Sequence, residues 1–244
     1  MRVGDFFELY YRGVMFFILL KKIILRYKYV SFDVFDTLLE RDVKHPYFIF
    51  DIVGKKIGDP YFRKHRIAAE KKARALDPSG EVSLDDIYCH LSLENLDKRY
   101  VKEIELDTEF EHIHPLNKNN IIYNFCLTHC NTVYLVSDMY LPSSFIEKLL
   151  RKANICGYKK LFVSCEYKKN KVTSDLFNCL LNEENLKNNQ LIHVGDSFKA
   201  DFRGPRKIGI RSILILNKKL LINKAIYKFT KLIVNFTKLI VNLK

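Results

Sequence analysis

Hydrophobic residues in much of the chain fall into short runs that alternate with amphipathic stretches. The short runs are rich in β-branched or aromatic residues and lead into polar residues; they are YVSFDVF, TVYLVSD, KLFVSCE, LIHVGDS and RSILIL. The segments SSFIEKLLRKANI and SDLFNCLLNEENL between them have helical periodicity. Strands that alternate with helices are typical of βαβ units, so we predict an α/β fold with a Rossmann-like parallel sheet.

A long stretch, residues 41–129, breaks this alternation. It contains three helical patterns and little β signal; the patterns are FRKHRIAAEKKARAL, SLDDIYCHL and KRYVKEIELDTEFEHI. A turn, DPSG, lies within it, and His114-Pro115 is expected to close it. We therefore predict a helical cap at 41–129, inserted into a core made of residues 28–40 and 130–216.

The two termini form separate segments in this prediction. Residues 1–27 are strongly apolar, but charged residues interrupt them, and the longest clean run, Val14 to Leu20, is too short to span a bilayer. We expect an N-terminal amphipathic helical segment there. Residues 217–244 contain the heptad FTKLIVN twice and predict a basic amphipathic helix. That helix could dock on the core, pair with a partner helix or lie on an anionic membrane surface, or the repeat could be a duplication without a role.

Composition is consistent with a globular chain. The 244 residues, 48% of them hydrophobic, suffice for one core and an inserted subdomain. The six cysteines form no CxxC pair and no secretory signal is apparent, so we expect reduced thiols in a cytoplasmic protein. Cys126, His129 and Cys130 share one helical face, but no fourth ligand is apparent, which favours a core-facing helix over a zinc site.

The net charge of +13 is concentrated near the C-terminus. Eleven Lys and Arg residues follow Asp201, whereas no acidic residue does. The remainder of the chain is close to neutral, so a basic surface for nucleic acid is not expected on the main domain.

Polar residues end three of the predicted strands. Asp33, Ser137 and Asp196 each lie at such an end. Because the carboxyl ends of parallel strands meet at one edge of the sheet, these residues are expected to share a site.

The order and spacing of these residues resemble the haloacid dehalogenase (HAD) superfamily over about residues 28 to 215. The matching motifs are Asp33 with Thr37 four positions later, Ser137 in YLVSDMY, Lys171 in SCEYKKNKVTSDLF, and Gly195-Asp196 with Asp201 in GDSFKAD. Lys168 and Lys169 are alternatives to Lys171, which we prefer because it precedes a helical pattern. The resemblance implies a HAD core with the cap above Asp33.

The resemblance also implies a mechanism and a cofactor. Asp33 would be the nucleophile that forms an aspartyl phosphate, and Mg²⁺ would be bound by Asp33, Asp196 and the backbone carbonyl of Phe35. Thr37, Ser137 and Lys171 would complete the catalytic set, with Ser137 and Lys171 holding the phosphate and Asp201 in a supporting role. A cation is needed because a carboxylate and a phosphate repel each other.

Phe35 departs from the phosphatase pattern of this superfamily. The residue two positions after the nucleophile is usually an aspartate that acts as general acid and base, and Asp36 cannot be assumed to replace it. Carbon-attacking dehalogenases of the superfamily also have a non-acidic residue there. They generally lack the metal-binding aspartate, however, which is present here as Asp196.

A narrower resemblance rests on SFDVFDTLLER, RIAAEKKAR, LVSDMYLP and IHVGDS. These stretches look like bacterial HAD-like proteins found beside or fused to glycosyltransferases in surface-polysaccharide clusters. The resemblance implies a small phosphorylated substrate such as a sugar phosphate, a glycosyltransferase partner, and a cytoplasmic location with peripheral contact to the inner membrane surface through the termini.

Three hypotheses follow for the function. They are a Mg²⁺-dependent phosphoesterase, a carbon-attacking hydrolase of the dehalogenase type, and a weak or inactive module that supports a glycosyltransferase. Asp196 favours the first over the second, whereas Phe35 favours the third over the first.

Overall fold

The structure, a computed structural model, describes residues 18–94, 96–130 and 132–215. Residues 18–24 are helical and pack near Phe125, whose ring centroid lies 4.7 Å from Lys21 Nζ. Residues 1–17 of the predicted N-terminal segment and the whole of the predicted C-terminal helix, residues 217–244, lie outside the described residues. Among the described helices, none is long and apolar enough to cross a membrane.

A five-stranded parallel sheet forms the centre of the molecule, as the sequence predicted. In chain order its strands are β1 Tyr29–Phe32, β4 Thr132–Ser137, β5 Lys160–Val163, β6 Leu191–Gly195 and β7 Arg211–Leu214. Their order across the sheet is β5-β4-β1-β6-β7. Strand β1 is central, because its Phe32 is in register with Leu135 of β4 and with Val194 of β6.

Both faces of the sheet are covered, which explains why its strands are nearly continuous apolar runs. In β4, Val133 and Leu135 belong to one hydrophobic cluster, whereas Tyr134 and Val136 belong to another. This division follows from the alternation of side chains along a strand. The helix Ser143–Lys152 packs in the first cluster through Ile146 and its neighbours, and the helix Asp175–Glu183 packs in the second.

The insertion between β1 and β4 is mainly helical. It is entered and left through a two-stranded antiparallel pair, β2 Leu39–Arg41 and β3 Ile113–Pro115. Four helices lie between these strands: α1 Phe48–Ile57, α2 Phe62–Leu76, α3 Leu84–Cys89 and α4 Lys98–His112. None of these elements joins the central sheet as the structure describes it. We refer to β2, β3, the four helices and the loops that join them as the cap.

The next helix, α5 Asn117–His129, belongs with the core. Its Tyr123 ring packs edge-on against Phe32 of β1, with centroids 5.5 Å apart, and its Asn119 donates a hydrogen bond to the Thr37 carbonyl. The insertion therefore ends before this helix, whereas the sequence placed its end after it, at residue 129. Cys126 of the same helix is buried in the apolar core, and His129 stacks on Phe125.

The remaining helical segments follow β4 along the chain. In chain order they are α6 Ser143–Lys152, α7 Ser164–Tyr167, α8 Asp175–Glu183, a 3₁₀ turn Asn188–Gln190, a π-helical turn Phe198–Arg203 and α9 Gly204–Lys207.

The cap and the core are joined by polar contacts. Leu84 at the start of α3 donates its N–H to the Tyr140 carbonyl, at 2.8 Å, and the Tyr140 ring centroid lies 4.8 Å from the guanidinium of Arg66 in α2. Arg66 is fully buried because Glu105 of α4 accepts hydrogen bonds from it and balances its charge. Lys168 Nζ, in the loop after α7, lies 3.0 Å from Asp77 Oδ2 of the cap. Lys168 therefore contacts the cap, whereas the Lys171 ammonium contacts two aspartates of the core, Asp33 and Asp201.

Candidate active site

The end of β1 places Asp33 at the carboxyl edge of the sheet. Asp33 continues the parallel pairing for one residue, since its N–H donates to the Val194 carbonyl of β6 at 2.9 Å. The chain then turns sharply, because the N–H groups of Leu38 and Leu39 both donate to the Val34 carbonyl. Asp33 is held in this way between a strand and a tight turn, and it is 6% exposed.

Lys171 bridges two buried carboxylates. Its Nζ donates to Asp33 Oδ1 and to Asp201 Oδ1, at 2.6 Å in each case. Lys171 and Asp201 are themselves buried. Asp201 Oδ2 accepts from the Ser197 N–H at 2.8 Å, so both of its oxygens are engaged. This arrangement brings three of the residues that the sequence predicted into one hydrogen-bonded group.

Burial and the charges of this group shift the pKa values of Asp33 and Asp201. Burial raises the pKa of Asp33 well above its usual value, and the Lys171 charge only partly offsets this effect. The negative charges of Asp201 and Asp196 add to the increase. Burial also opposes ionisation of Asp201, but Lys171 and His193 outweigh it and lower the pKa of Asp201. The same lysine thus contacts two carboxylates whose pKa values shift in opposite directions, upward for Asp33 and downward for Asp201.

A chain of polar side chains extends from this group through the sheet. His193 of β6 contacts Asp201 Oδ1 with its Nε2, at 3.2 Å, and Ser31 of β1 with its Nδ1, at 2.8 Å. His193 and Ser31 are fully buried, and burial lowers the pKa of His193 against the opposing effect of Asp201. The histidine links two neighbouring strands and helps to fix the Asp201 carboxylate.

The three aspartates Asp33, Asp196 and Asp201 form a cluster that could hold a metal ion. One carboxylate oxygen from each lies within 4.8 Å of the others, and no other cluster of this kind occurs among the described residues. A spacing of this size is compatible with carboxylate ligands of one shared ion.

The donor set fits Mg²⁺. Asp33 Oδ2 is buried and has no hydrogen-bond partner within the described residues, so an acceptor oxygen is left unsatisfied in the cluster. Carboxylate oxygens are the ligands that a hard divalent cation prefers, and such a cation would offset the mutual repulsion of the three aspartates. The predicted contribution of the Phe35 backbone carbonyl stays a prediction.

Gly195 explains how two of the aspartates come so close. A Cβ atom at this position would overlap the carboxyl group of Asp201. Any larger residue would displace Asp201 and, through it, Lys171. The motif GD therefore needs its glycine for a close packing contact next to Asp196.

Ser137 and Thr37 are both buried near this edge. Ser137 ends β4 and is in register with Val163 of β5. On the other side of β4, Leu135 is in register with Phe32, the residue before Asp33. Thr37 lies in the turn after β1, and its hydroxyl finds no hydrogen-bond partner in the part of the chain that the structure describes. Two hydroxyls thus lie at the ends of the neighbouring strands that carry the site.

Phe35 occupies the turn directly after Asp33 and Val34. Its ring centroid lies 4.8 Å from the guanidinium of Arg41, which is itself paired with Glu109 of the cap, Nε to Oε1 at 2.7 Å. The next residue, Asp36, has a positive φ of 64°, and its N–H donates to the Leu39 carbonyl. An aromatic ring in contact with a cation therefore occupies position 35, where the sequence resemblance implies an aspartate in a phosphatase.

The sequence did not single out several residues of this site. His193 and Asp138 stand inside quoted motifs, LIHVGDS and YLVSDMY, and a polar residue within or just after a buried strand was the available signal. Arg41 and Glu109 gave no local signal, because their importance depends on the fold of the cap over Phe35.

Comparison with known proteins rests on structure. No protein-family model matches the chain, and no curated protein matches it. The fold is similar to that of the HAD-hydrolase YfnB from Bacillus subtilis bound to magnesium, with a TM-score of 0.59 and 17% identity over 78% of this chain and 88% of that chain. The chain has the haloacid dehalogenase-like fold.

Other solved structures with this HAD-like fold represent two chemistries. A HAD phosphatase from Thermococcus onnurineus matches with a TM-score of 0.56 and 14% identity, over 78% of this chain and 87% of its own. An L-2-haloacid dehalogenase from Xanthobacter autotrophicus matches with the same score and identity, over 82% and 83%. The fold alone therefore does not choose between attack on phosphorus and attack on carbon.

Proposed function

We propose that the chain is a Mg²⁺-dependent hydrolase that removes the phosphoryl group of a small phosphorylated metabolite, with Asp33 as the nucleophile. The observation that carries the proposal is the cluster of Asp33, Asp196 and Asp201 beside the Lys171 ammonium. Within this cluster the buried Asp33 Oδ2 accepts no hydrogen bond from the described residues. Such a cluster suits a dianionic substrate, because it needs a cation and already holds one positive side chain.

In the first step a carboxylate oxygen of Asp33 attacks phosphorus. The new O–P bond forms as the bond between phosphorus and the leaving oxygen breaks, and the leaving group departs with that electron pair. Lys171 directs Asp33 and opposes the rise in its pKa that burial causes, and it would place positive charge beside the phosphoryl oxygens. Bound Mg²⁺, held by Asp33 and Asp196, would supply the further positive charge that lets phosphate approach the carboxylates.

The second step regenerates Asp33. Water attacks phosphorus, the O–P bond to Asp33 breaks, inorganic phosphate leaves, and the proton of the attacking water must go to a base. The side chain at position 35 cannot accept that proton, since it is a phenylalanine covered by Arg41. We therefore propose that hydrolysis of the aspartyl phosphate is slow and that good substrates have leaving groups that need no proton, such as acyl or aryl phosphates.

A second candidate is a hydrolase of the dehalogenase type. Phe35 favours it, because a halide leaves without a proton, and solved dehalogenases share the fold. Asp196 argues against a dehalogenase, since a metal-binding carboxylate has no role in displacing halide from carbon. The third hypothesis, a weak or inactive module that supports a glycosyltransferase, is also supported by Phe35, because this position lacks the acid and base that turnover of a phosphate ester needs.

The substrate class within the phosphoesterase proposal comes from the narrower resemblance to proteins of surface-polysaccharide clusters. We propose a phosphorylated sugar or glycan precursor, which would be turned over more slowly than acyl or aryl phosphates because its leaving hydroxyl needs a proton. The cap would set its specificity, because Arg41 of the cap contacts the ring of Phe35, two residues after Asp33, and is paired with Glu109.

One panel experiment separates these candidates. Purified protein is assayed with acyl, aryl and sugar phosphates and with 2-haloacids, each with Mg²⁺ or with EDTA, and Asp33→Asn is the matched control. Release of phosphate that needs both Mg²⁺ and Asp33 supports the phosphoesterase. Release of halide that persists in EDTA supports the dehalogenase, and no Asp33-dependent product from any substrate supports the inactive module.

A further inference from the structure

The backbone of Lys171 is fixed as firmly as its side chain. The Lys171 N–H donates to both oxygens of Asp138, at 3.0 Å to Oδ1 and 3.2 Å to Oδ2. Asp138 directly follows Ser137, so it is carried by the end of β4. A carboxylate on the rigid sheet thus holds the peptide group of a lysine that belongs to a loop between α7 and α8.

The loop around Lys171 needs such anchors because its conformation is not regular. Ser174 has a φ of 77°, which is unfavourable for a residue other than glycine, and Lys168 also has a positive φ, of 52°. The Ser174 hydroxyl donates to the Gly204 carbonyl at 2.6 Å, and a Cβ atom on Gly204 would overlap the Lys171 carbonyl oxygen. The loop is therefore held from two sides, by Gly204 and by Asp138.

Asp138 occupies this position at an energetic cost. Burial raises the pKa of Asp138 to about 6, although the Lys171 charge and the Lys171 N–H oppose the increase, and the nearby Glu81 of the cap adds to it. A buried carboxylate is expensive unless its bonds are used. Its contact with the Lys171 N–H is the specific bond that the structure gives it.

We propose that Asp138 is a positioning residue, which fixes the Lys171 backbone so that the ammonium reaches Asp33 and Asp201 together. The proposal rests on the proposed function only for its effect on rate, because the position of the Lys171 loop can be measured without any substrate. Misplacing a catalytic group by about 1 Å can cost on the order of a hundredfold in rate.

Substitutions at residue 138 separate positioning from proton transfer. Asp138→Asn keeps an oxygen that can accept from the Lys171 N–H but cannot carry the charge or the proton of an acid. Asp138→Ala removes the acceptor altogether. Asp97→Ala is the matched control, because that carboxylate also accepts from a backbone N–H, that of Arg99 at 2.8 Å, but lies in the cap.

The first readout is hydrogen exchange at the Lys171 amide in substrate-free protein. Asp138→Ala should exchange faster by about tenfold, the value of one lost hydrogen bond. Asp138→Asn and Asp97→Ala should stay near wild type. Unchanged protection in Asp138→Ala would overturn the proposal, and if Asp138→Ala does not fold, loss of protection in Asp138→Asn would overturn it equally.

The second readout is turnover of an aryl phosphate with Mg²⁺. Asp138→Ala should lower kcat by about 10- to 100-fold, whereas Asp138→Asn should stay within about threefold of wild type. Equal loss in both variants would show that the charge or proton of Asp138 is used and would overturn the positioning role. If wild type shows no turnover but the exchange pattern is as expected, the proposed function fails while the positioning of Lys171 by Asp138 stands.

Discussion

The Lys171 ammonium lies 2.6 Å from a carboxylate oxygen of Asp33, and both side chains are buried. A buried pair of this kind contributes little net stability when it is intact, but removing one partner leaves an uncompensated charge. The same contact opposes the rise in the pKa of the proposed nucleophile that burial causes. Stability and chemistry therefore depend on the same lysine.

We predict that Lys171→Met is strongly destabilising. It would leave Asp33 and Asp201 facing each other without a cation, and breaking a buried ion pair in this way typically costs about 3–5 kcal/mol. Urea denaturation measures this difference. Lys169→Met is the control, because Lys169 is exposed and should change stability by less than about 0.5 kcal/mol. Equal stability of the two variants would contradict the account.

The metal assignment predicts that Asp196→Asn weakens Mg²⁺ binding. The substitution removes one charged oxygen ligand from the cluster of three aspartates but keeps the shape of the side chain. We expect the affinity, measured by calorimetry on substrate-free protein, to fall at least about tenfold. Asp85→Asn, at a highly exposed carboxylate of the cap, should bind Mg²⁺ as wild type does. Equal affinity in both variants would remove Asp196 from the site.

Asp138 predicts a pH dependence of stability. Its pKa is raised by burial to about 6 from an ordinary value of 3.8, so between these values the folded state binds more protons than the unfolded state. The contribution of Asp138 to the free energy of unfolding therefore falls as pH rises from about 4 to 6, and it is restored as pH falls.

Comparison with Asp138→Asn isolates this contribution. The stability of wild type relative to the variant should decrease by about 1–3 kcal/mol between pH 4 and pH 7, since each pKa unit corresponds to about 1.4 kcal/mol. Denaturation curves of both proteins across this range measure the difference. A constant difference would show that Asp138 titrates normally in the folded state.

Replacing Phe35 should restore the missing acid and base. We predict that Phe35→Asp raises turnover of alkyl phosphates by about 10²-fold or more, because their leaving groups need a proton. The Arg41 guanidinium, 4.8 Å from the Phe35 ring centroid, would balance the new charge. Phe35→Asn is the control, since an asparagine side chain is similar in size to an aspartate but cannot act as a general acid or base. Equal turnover in the two variants would argue against general acid catalysis from this position.

The sheet was predictable because its strands are buried on both faces and therefore give continuous apolar runs, as in TVYLVS. The end of the insertion was not predictable. The helix Asn117–His129 follows the last cap helix after one short strand, and its contacts with Phe32 and with the Thr37 carbonyl, both distant in the chain, assign it to the core.

The positions of Asp33, Ser137 and Asp196 at strand ends were predictable, because each lies at the end of a buried apolar run. The sequence favoured Lys171 over Lys168 because a helical pattern follows it, but the path of the Lys171 side chain to Asp33 depends on a loop with positive φ at Lys168 and Ser174. The sequence could not show that Arg41 covers Phe35, since this contact depends on the pairing of β2 with β3 and on Glu109 of the cap.

The most direct test of the account is a search for the aspartyl phosphate itself. Wild-type protein is mixed with an acyl phosphate and Mg²⁺, quenched in acid, and examined by intact-protein mass spectrometry. The account predicts that one phosphoryl group per chain accumulates on Asp33, because Phe35 leaves the second step without a base, and that Phe35→Asp shortens its lifetime. Absence of the adduct, with phosphate release equal in wild type and Asp33→Asn, would contradict it.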